Sequence, residues 1–288
     1  MPYRSIFSPG LFAGTVAIVT GGGSGIGRCT AHELASLGAK VALIGRAPEK
    51  LKRVRDEIAA DAGEAEAFPC DIREEETVRS AVSAVLRRFG RVDHLVNNAG
   101  GQFAAPLAGI SQKGWETVVR TNLTGGFLMA RECYTQWMRA QGGAIVNIVA
   151  DMWNGMPGMG HSGAARAGMV NFTETAALEW SGCNVRVNAV APGWIASSGL
   201  DNYPQAMREE IRALKTLSPL GRLGTESEVS AAICFLLSPG AWFISGATLR
   251  VDGAVPAARP GRPLPPHDRP APEYNGFHRA QPPQVLRD

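Results

Sequence analysis

Cysteine is scarce in this sequence, and its few copies follow no metal-binding or disulfide pattern. The 288 residues include five cysteines, at positions 29, 70, 133, 183 and 234, and no two of them form a Cys-x-x-Cys pair. An odd number of scattered thiols excludes a disulfide framework, and their spacing lacks the paired ligands of a zinc site. We therefore expect free thiols, no metal and a reducing, cytoplasmic location.

A strong charge of one sign and long apolar runs are lacking as well. The formal net charge is only +3, and the basic residues form no stripe interleaved with aromatic side chains, so we expect no nucleic-acid partner. No apolar run reaches the length of a membrane span, and the N-terminal stretch has no apolar signal-peptide core. With 45% hydrophobic residues, the chain has enough apolar material for one large domain.

The most informative stretch is rich in glycine. The motif TGGGSGIG, residues 20–27, follows the apolar run VAIV at residues 16–19 and precedes a stretch with helical spacing at residues 29–37. A strand that turns into a helix through glycines lets phosphate groups approach the backbone, and the helix N-terminus supplies free N–H groups. The motif therefore predicts nucleotide binding rather than an ordinary glycine-rich turn.

Apolar strand-like segments alternate with helical ones along the chain. Strands are predicted at residues 16–19, 41–44, 65–68, 95–96, 144–148, 185–190 and 248–251, and helices at residues 48–60, 74–89, 112–141, 162–180 and 226–237. Such alternation produces a parallel sheet with helices on both faces. The predicted fold is α/β, a single doubly wound Rossmann domain over residues 1–254, with ligands beyond the carboxyl ends of the strands.

The last segment, residues 255–288, differs in composition from the rest. It contains nine prolines, at positions 256, 260, 263, 265, 266, 270, 272, 282 and 283, so no helix or central strand is expected there. We predict that this tail is either disordered or a strap on a neighbouring subunit, and Tyr274 and Phe277 favour docking.

Several motifs, in order, resemble those of the short-chain dehydrogenase/reductase family. They are the glycine motif, Asp71, the NNAG sequence at residues 97–100, Asn122 and the Pro192-Gly193 pair. The resemblance covers about residues 12–253. It implies a seven-stranded Rossmann sheet, a nicotinamide cofactor and a homotetramer or homodimer.

The resemblance also implies which residues contact the cofactor. The carboxylate of Asp71 accepts a hydrogen bond from the adenine amino group, and Ser197 faces the nicotinamide carboxamide. The predicted set consists of Gly21, Gly23, Ser24, Gly25, Ile26, Gly27, Arg46, Asp71, Ile72, Asn98, Ala99, Gly100, Arg166, Pro192, Gly193, Ile195 and Ser197.

The end of the second strand bears on the choice of cofactor. NAD-dependent enzymes commonly place an acidic residue about 20 residues beyond the glycines to bind the ribose 2′-hydroxyl. Here the strand ends with Gly45 and Arg46 and no acid. A planar guanidinium suits a 2′-phosphate, and Arg28 offers a second cation. We predict NADP(H), with NAD(H) as the alternative.

The catalytic segment departs from the family pattern, which is usually Tyr-x-x-x-Lys. None of the four tyrosines has lysine four residues later. Ser162 stands in the tyrosine place and Arg166 in the lysine place. Asp151 is the nearest polar residue where a serine is usual after the fifth strand. The predicted catalytic set is Asn122, Asp151, Ser162 and Arg166, and the resemblance implies that Asn122 opens its helix and holds a water.

Some of these residues have alternative roles. Ser162 is either an oxyanion donor or the N-cap of its helix. Arg166 bonds the ribose hydroxyls or forms a salt bridge between subunits. His161 donates a proton or is structural. Residues 194–224, here named the substrate loop, are expected to cover a lipophilic substrate and to carry Tyr203 towards it.

These departures favour one kind of chemistry. A ketone reductase must protonate an alkoxide near neutral pH, and serine is a poor acid for that task. Reduction of an enoyl thioester leaves charge on the thioester oxygen, which fixed hydrogen-bond donors stabilise. Residues 161–168 also resemble trans-2-enoyl-CoA and 2,4-dienoyl-CoA reductases, whereas residues 6–12, 150–153 and 193–199 resemble bacterial citronellol/citronellal dehydrogenases.

The sequence therefore predicts an NADP(H)-dependent reductase of a lipophilic 2-enoyl-CoA or 2,4-dienoyl-CoA. One alternative is a dehydrogenase of a lipophilic alcohol or aldehyde such as citronellol or citronellal. The other, from a different class, is a nucleotide-binding scaffold that has lost catalysis.

Overall fold

The computed structural model describes residues 2–258, 263–264 and 270–287, which contain a seven-stranded parallel sheet in the order β3-β2-β1-β4-β5-β6-β7. The strands are β1 (Val16–Thr20), β2 (Lys40–Gly45), β3 (Glu64–Pro69), β4 (His94–Asn97), β5 (Gly143–Ile148), β6 (Val185–Pro192) and β7 (Thr248–Val251). All seven predicted strands are confirmed. The strand order reverses between β1 and β4, which creates the crevice where such sheets bind ligands.

Helices cover both faces of this sheet. They are α1 (Gly25–Ser36), α2 (Pro48–Ala60), α3 (Glu75–Phe89), α4 (Gln112–Val119), α5 (Gly125–Cys133), α6 (Arg139–Gln141), α7 (Gly160–Glu179), α8 (Arg208–Leu217) and α9 (Glu226–Leu237). Ala17 and Val19 of β1 pack on the side of α1, α2 and α9, whereas Val16 and Ile18 pack on the side of α3, α5 and α7. Burial on both faces explains why β1 is apolar without alternation.

The helix predicted over residues 112–141 is not continuous. Two π-helical segments, Arg120–Thr124 and Tyr134–Met138, interrupt it. In the first segment the Asn122 side chain leaves the helix and bonds both backbone groups of Gly101, at 2.9 Å to the N–H and 3.0 Å to the C=O. Sequence periodicity cannot show this interruption, because it depends on a contact with a distant turn.

The described part of the tail lies against its own chain, in contrast to both predicted alternatives. Phe277 is 2% exposed, stacks on Tyr3 and lies 4.9 Å from the His32 ring, measured between ring centroids. Arg279 forms two hydrogen bonds with Asp61, at 3.0 and 2.9 Å. Residues 259–262, 265–269 and 288, with the prolines at 260, 265 and 266, lie outside the described residues, and the domain boundary at residue 254 stays a prediction.

Within the described part of the chain, none of the helices combines the length and the apolar character that a transmembrane span requires.

A buried histidine lies in β4. The His94 ring packs edge-on against Phe12, with ring centroids 5.3 Å apart. Among the described residues neither ring nitrogen has a hydrogen-bond partner. Burial lowers the pKa of His94 below its ordinary value of 6.5, because the charged imidazolium is poorly solvated there.

We predict that His94→Leu removes part of the protein's acid sensitivity. Because the pKa of His94 is lower in the folded chain than in the unfolded chain, wild-type stability falls as the pH falls below 6.5. Leucine does not titrate, so the free energy of unfolding should fall less for the variant, by about 1–3 kcal/mol, between about pH 7 and about pH 5. Urea titrations of both proteins at the two pH values measure this difference, and equal losses would contradict the prediction.

Candidate active site

An open cleft of about 770 Å³ lies at the carboxyl ends of the central strands. Its floor consists of the glycine motif after β1, the turn after β4, residues 148–150 after β5 and residues 192–195 after β6. Residues 197–204 of the substrate loop form an outer wall. The cleft thus spans the point of strand-order reversal.

The glycine motif leaves room for an anionic group. Gly21 has φ +66°, and a Cβ at this position would lie only 2.8 Å from Asn98 Nδ2, so a larger residue does not fit. Ser24, the N-cap residue of α1, makes no side-chain capping hydrogen bond. The first N–H groups of α1 therefore stay available to a ligand, at the positive end of the helix dipole. This arrangement fits the pyrophosphate of a dinucleotide.

The end of the cleft near β2 and β3 carries positive charge. Arg46, Lys50 and Arg73 line it, together with Asp71. Arg73 Nε donates to Asp71 Oδ1 at 2.9 Å, and this bond holds the pKa of Asp71 below its ordinary value. Arg28 does not belong to this group, because its Nε donates to Glu57 Oε2 at 2.8 Å and its guanidinium lies over the Phe277 ring.

Arg166 reaches the middle of the cleft from α7. Its Nη1 donates to the Ile148 carbonyl oxygen at 2.6 Å, and its head group packs against the backbone of Gly100. Burial lowers the pKa of Arg166 to about 10, so the guanidinium is charged at neutral pH in a poorly solvated place. Its buried Nε has no hydrogen-bond partner among the described residues.

A row of neutral polar side chains runs from the interior to the cleft. Asn122 Nδ2 lies 3.4 Å from Ser162 Oγ, and Ser162 Oγ donates to Gln102 Oε1 at 2.7 Å. Gln102 Nε2 in turn donates to the Tyr203 hydroxyl at 2.7 Å. Ser162 is 0% exposed, whereas Gln102 and Tyr203 line the cleft. Only the outer half of this row can therefore touch a ligand directly.

The predicted N-cap role of Ser162 is wrong. The helix α7 begins at Gly160, and Met159 occupies the N-cap position, so Ser162 lies within the first turn. The neighbouring His161 accepts the Ser162 backbone N–H through Nδ1 at 2.8 Å. Its ring is fully buried and packs edge-on against Phe103, with centroids 4.4 Å apart. His161 therefore supports the turn and does not line the cleft.

Asp151 also lies outside the cleft, whose lining on this strand ends at Ala150. Burial raises the pKa of Asp151, while the charge of Arg250 acts in the opposite direction. Its Oδ1 has no hydrogen-bond partner among the described residues. The position gives Asp151 no direct contact with a ligand in this conformation.

The structure brings most of the predicted cofactor residues together. Those that line the cleft are Gly21, Gly23, Ser24, Gly25, Ile26, Arg46, Asp71, Ile72, Asn98, Ala99, Gly100, Arg166, Pro192, Gly193, Ile195 and Ser197. Gly27 is buried behind the glycine turn, where a Cβ would collide with Asn98. Among the predicted catalytic residues, only Arg166 lines the cleft, because Asn122 and Ser162 lie behind Gln102.

Three cleft residues escaped sequence analysis. Gln102 follows the NNAG turn by two residues, and its distance from α7 in sequence hides its contact with Ser162. Lys50 lies one turn into α2, and a search for cations near Arg46 would have found it. Arg73 follows Asp71 by two residues, a spacing that allows the observed bidentate pair.

A half-buried acid lies close to the same cleft. Glu226 opens α9, and its Oε1 is 3.9 Å from the position that a Cβ would take on Gly25. Burial raises the pKa of Glu226 to about 7, although the charge of Arg28 and a hydrogen bond from the Ser198 backbone oppose this shift.

Comparisons with known proteins agree with this geometry. The family model described as enoyl-(acyl carrier protein) reductase matches residues 21–255. A Bacillus subtilis protein named probable 2,4-dienoyl-CoA reductase is 36% identical over 240 residues, which are 82% of this chain and 94% of that protein. The peroxisomal 2,4-dienoyl-CoA reductase of Danio rerio is 36% identical over 259 residues, which are 88% of this chain and 85% of that protein.

A solved structure is more similar in sequence. The citronellol catabolism dehydrogenase (AtuB) of Pseudomonas aeruginosa PAO1 is 61% identical and has a TM-score of 0.79. The match covers 88% of this chain and 99% of that chain.

We predict that Glu226→Gln stabilises the protein more at about pH 8 than at about pH 5. Folded Glu226 keeps its proton up to about pH 7, whereas the unfolded chain releases it near 4.5, so this group's contribution to wild-type stability falls across that interval. The neutral amide of the variant does not titrate. The free energy of unfolding of Glu226→Gln relative to wild type should therefore rise by about 1–3 kcal/mol from about pH 5 to about pH 8. Urea titrations at the two pH values measure it.

Glu228→Gln is the matched control, from the same helical turn. Burial acts to raise the pKa of Glu228, but its hydrogen bond with Arg222 prevails and holds the pKa below the ordinary value. Removing this charge should destabilise the protein at both pH values. A Glu226→Gln effect that is the same at both pH values would contradict the prediction.

Proposed function

Because this chain belongs to the short-chain dehydrogenase/reductase family of NAD(P)-dependent oxidoreductases, we propose that it reduces the activated C=C bond of a lipophilic 2-enoyl or 2,4-dienoyl thioester with NADPH. The observation that carries the proposal is the neutral polar row of Asn122, Ser162, Gln102 and Tyr203. The four side chains of this row supply hydrogen-bond donors, and none of the four is a carboxylic acid or an imidazole. It suits a reaction that needs an oxyanion stabilised more than an alkoxide protonated.

The charges at the β2 end of the cleft support NADPH. Arg46 and Lys50 line this end, and no acid stands at the end of β2 to bind a ribose 2′-hydroxyl. Asp71, the nearest carboxylate in the lining, is already bonded to Arg73. A ribose 2′-phosphate would therefore meet positive charge without an opposing free carboxylate.

Arg166 is proposed to hold the ribose next to the nicotinamide. Arg166 lines the cleft between the turn after β4 and the end of β5, where the nicotinamide half would lie. A nicotinamide bound there supplies the hydride for the β-carbon of the thioester. The charge of Arg166 is poorly screened at this position, so it acts over several ångströms.

Gln102 is proposed to bind the thioester oxygen. Addition of a hydride to the β-carbon moves the C=C electron pair towards the carbonyl and leaves an enolate oxygen, which Gln102 Nε2–H can stabilise as a donor. The α-carbon then takes a proton from water at the open side of the cleft. Ser162 fixes the Gln102 amide, because it donates to Oε1 and so turns Nε2 towards Tyr203 and the cleft. The sequence predicted that Ser162 is either the oxyanion donor or an N-cap, but its side chain is too deeply buried here to contact a ligand in the cleft.

Apolar residues around this row support a lipophilic substrate. Phe103, Trp194, Leu200 and Pro204 line the same part of the cleft. Hydrocarbon chains gain roughly 25 cal/mol per Å² when such surface is removed from water. The cleft is therefore expected to prefer acyl chains over short polar groups.

A second candidate is a dehydrogenase of a lipophilic alcohol. It is favoured by the 61% identity to the protein named citronellol catabolism dehydrogenase. In that reaction the phenolate form of Tyr203, which lines the cleft, would take the alcohol proton. The two candidates share cofactor and cleft, and they differ in which substrate carbon exchanges the hydride: the β-carbon of an enoyl thioester or the carbon that bears the hydroxyl of an alcohol.

A substrate panel separates these candidates. NADPH oxidation is followed with 2-enoyl-CoA, 2,4-dienoyl-CoA and terpenoid aldehydes, and NADP⁺ reduction with citronellol and matched alcohols, with product identification by mass spectrometry. We expect saturation of the thioester C=C bond. Turnover of the terpenoids without turnover of any enoyl thioester would overturn the proposal in favour of the alcohol dehydrogenase. Tight cofactor binding with no turnover at all would favour a scaffold.

We predict that Gln102→Glu lowers kcat by about 10²-fold and leaves the NADPH Kd near the wild-type value. The carboxylate keeps the shape of the side chain, but it removes the donor and places negative charge beside the enolate. Ser162→Ala should lower kcat less, about 10-fold, because it only removes the hydrogen bond that fixes the Gln102 amide. Gln112→Glu, on the exposed start of α4, is the control. An unchanged rate for Gln102→Glu would remove Gln102 from the mechanism.

We predict that Arg46→Ala weakens NADPH binding by about 1–3 kcal/mol, the loss typical of a charge-assisted hydrogen bond, and leaves NADH binding nearly unchanged. Calorimetric titration with both cofactors measures the two effects. Arg55→Ala is the control, because Arg55 bonds Asp56 away from the cleft. Equal losses for both cofactors would show that Arg46 does not contact a 2′-phosphate.

A further inference from the structure

The end of the tail is bonded to the substrate loop. The turn Gln284–Leu286 lies beside α8, where Arg212 Nε donates to the Val285 carbonyl oxygen at 2.9 Å. A second nitrogen of Arg212 donates to the Arg287 carbonyl oxygen. The Val285 N–H donates to Asp201 Oδ1 at 2.9 Å, and Val285 is 4% exposed. We name these contacts of Asp201, Arg212 and residues 284–287 the C-terminal clasp.

The clasp acts on the wall of the cleft. Asp201 belongs to the turn Ser198–Asn202, and its neighbours Leu200 and Asn202 line the cleft. Tyr203, which also lines the cleft and bonds Gln102, follows two residues after Asp201. A bond that holds Asp201 therefore restricts the backbone that places Tyr203.

The tail has a separate anchor on α1 and at the end of α2. Phe277 packs into the small core with Tyr3 and Cys29, and Arg279 bonds Asp61 at the end of α2. Just before this anchor, the Tyr274 carbonyl oxygen accepts a hydrogen bond from Thr225 at the start of α9. These contacts fix the tail independently of the substrate loop, and Phe277 and Tyr274 still hold the tail when Arg279 alone is replaced.

We propose that Asp201 and Arg212 are positioning residues, through which the chain's own C-terminal segment sets the affinity for the lipophilic substrate. The proposal deepens the proposed function and rests on it for the identity of the substrate. The clasp holds residues 198–204 in the orientation in which Leu200 and Tyr203 face the cleft. Loss of the clasp leaves the wall disordered, so part of the binding energy is used to order it.

The chemistry of the clasp predicts which substitutions it tolerates. Arg212 donates to carbonyl oxygens, so no carboxylate partner in the turn is needed. Asp201 serves as an acceptor through Oδ1, so asparagine, which keeps an acceptor oxygen in the same place, should preserve the contact. Alanine at either position removes it. Arg279→Ala is the matched control, because it removes a contact of the same tail with Asp61, away from the substrate loop.

The test measures backbone mobility and kinetics in the full-length chain. Hydrogen–deuterium exchange of the substrate-free protein reports on residues 198–217 in wild type and in Asp201→Ala, Asp201→Asn, Arg212→Ala and Arg279→Ala. We expect exchange in this segment to accelerate about tenfold or more in both clasp alanine variants. Asp201→Asn should stay near wild type. Arg279→Ala should lower Tm without accelerating exchange of the substrate loop.

Steady-state kinetics provide the second measurement, with the best substrate of the panel. We expect the clasp alanine variants to raise KM about 3- to 30-fold, with the NADPH Kd unchanged. Wild-type exchange rates in residues 198–217 of Asp201→Ala and Arg212→Ala would overturn the proposal. Equal acceleration by Arg279→Ala would also overturn it, because the tail would then act as a general stabiliser. If exchange behaves as expected but no enoyl thioester is reduced, the proposed function fails while the clasp stands.

Discussion

The cleft depends on hydrogen bonds that join the ends of β1 and β4. Thr20 Oγ1 accepts the backbone N–H groups of Asn98 and Ala99, each at 2.9 Å, and Asn98 Nδ2 donates to the Thr20 carbonyl oxygen at 3.0 Å. These bonds cross the place where the strand order reverses. They hold the glycine turn against the turn after β4, so close that neither Gly21 nor Gly27 has room for a Cβ. Without this junction, the two halves of the cofactor cleft would lack a common floor.

A second consequence of close packing is that the side chains able to meet a ligand lie farther out in the cleft than Ser162 does. Serine at position 162 is short and fully buried, so its hydroxyl ends beneath Gln102 instead of in the cleft. Asn122 reaches this place because the helix widens to a π-helical segment around it. Buried polar groups need hydrogen-bond partners, and each side chain of the row supplies a partner for the next one. The side chains that can meet a substrate are therefore those on the turn after β4 and on the substrate loop.

The two ends of the cleft differ in their electrostatics. Arg46 and Lys50 are exposed, so solvent and salt weaken their fields, and the proposed preference for NADPH depends on their direct contact with a phosphate. Arg166 is desolvated and loses part of its preference for the charged form, which its pKa of about 10 records. A charge in such surroundings acts strongly on nearby groups, because little solvent screens it.

The strands, most helices and the cofactor cleft followed from local signals. Apolar runs such as VAIV are typical of strands that are buried on both faces, and a glycine turn between a strand and a helix is typical of nucleotide binding. These two signals allowed β1, α1 and the cleft to be inferred from the sequence. The missing Tyr-x-x-x-Lys pattern was equally plain, and with it the positions of Ser162 and Arg166. These features depend on neighbours along the chain, which a sequence displays directly.

Contacts between distant segments were decided only by the tertiary structure. Ser162 is buried behind Gln102, which lies 60 residues earlier in the chain. Its hydroxyl therefore donates to Gln102 and does not reach a ligand in the way that had been predicted. Arg28 faced Glu57 instead of a phosphate, and the proline-rich tail found partners on its own chain. In each case a polar or aromatic side chain had several acceptable partners, and the choice depended on which one the folded sheet brought within hydrogen-bond distance.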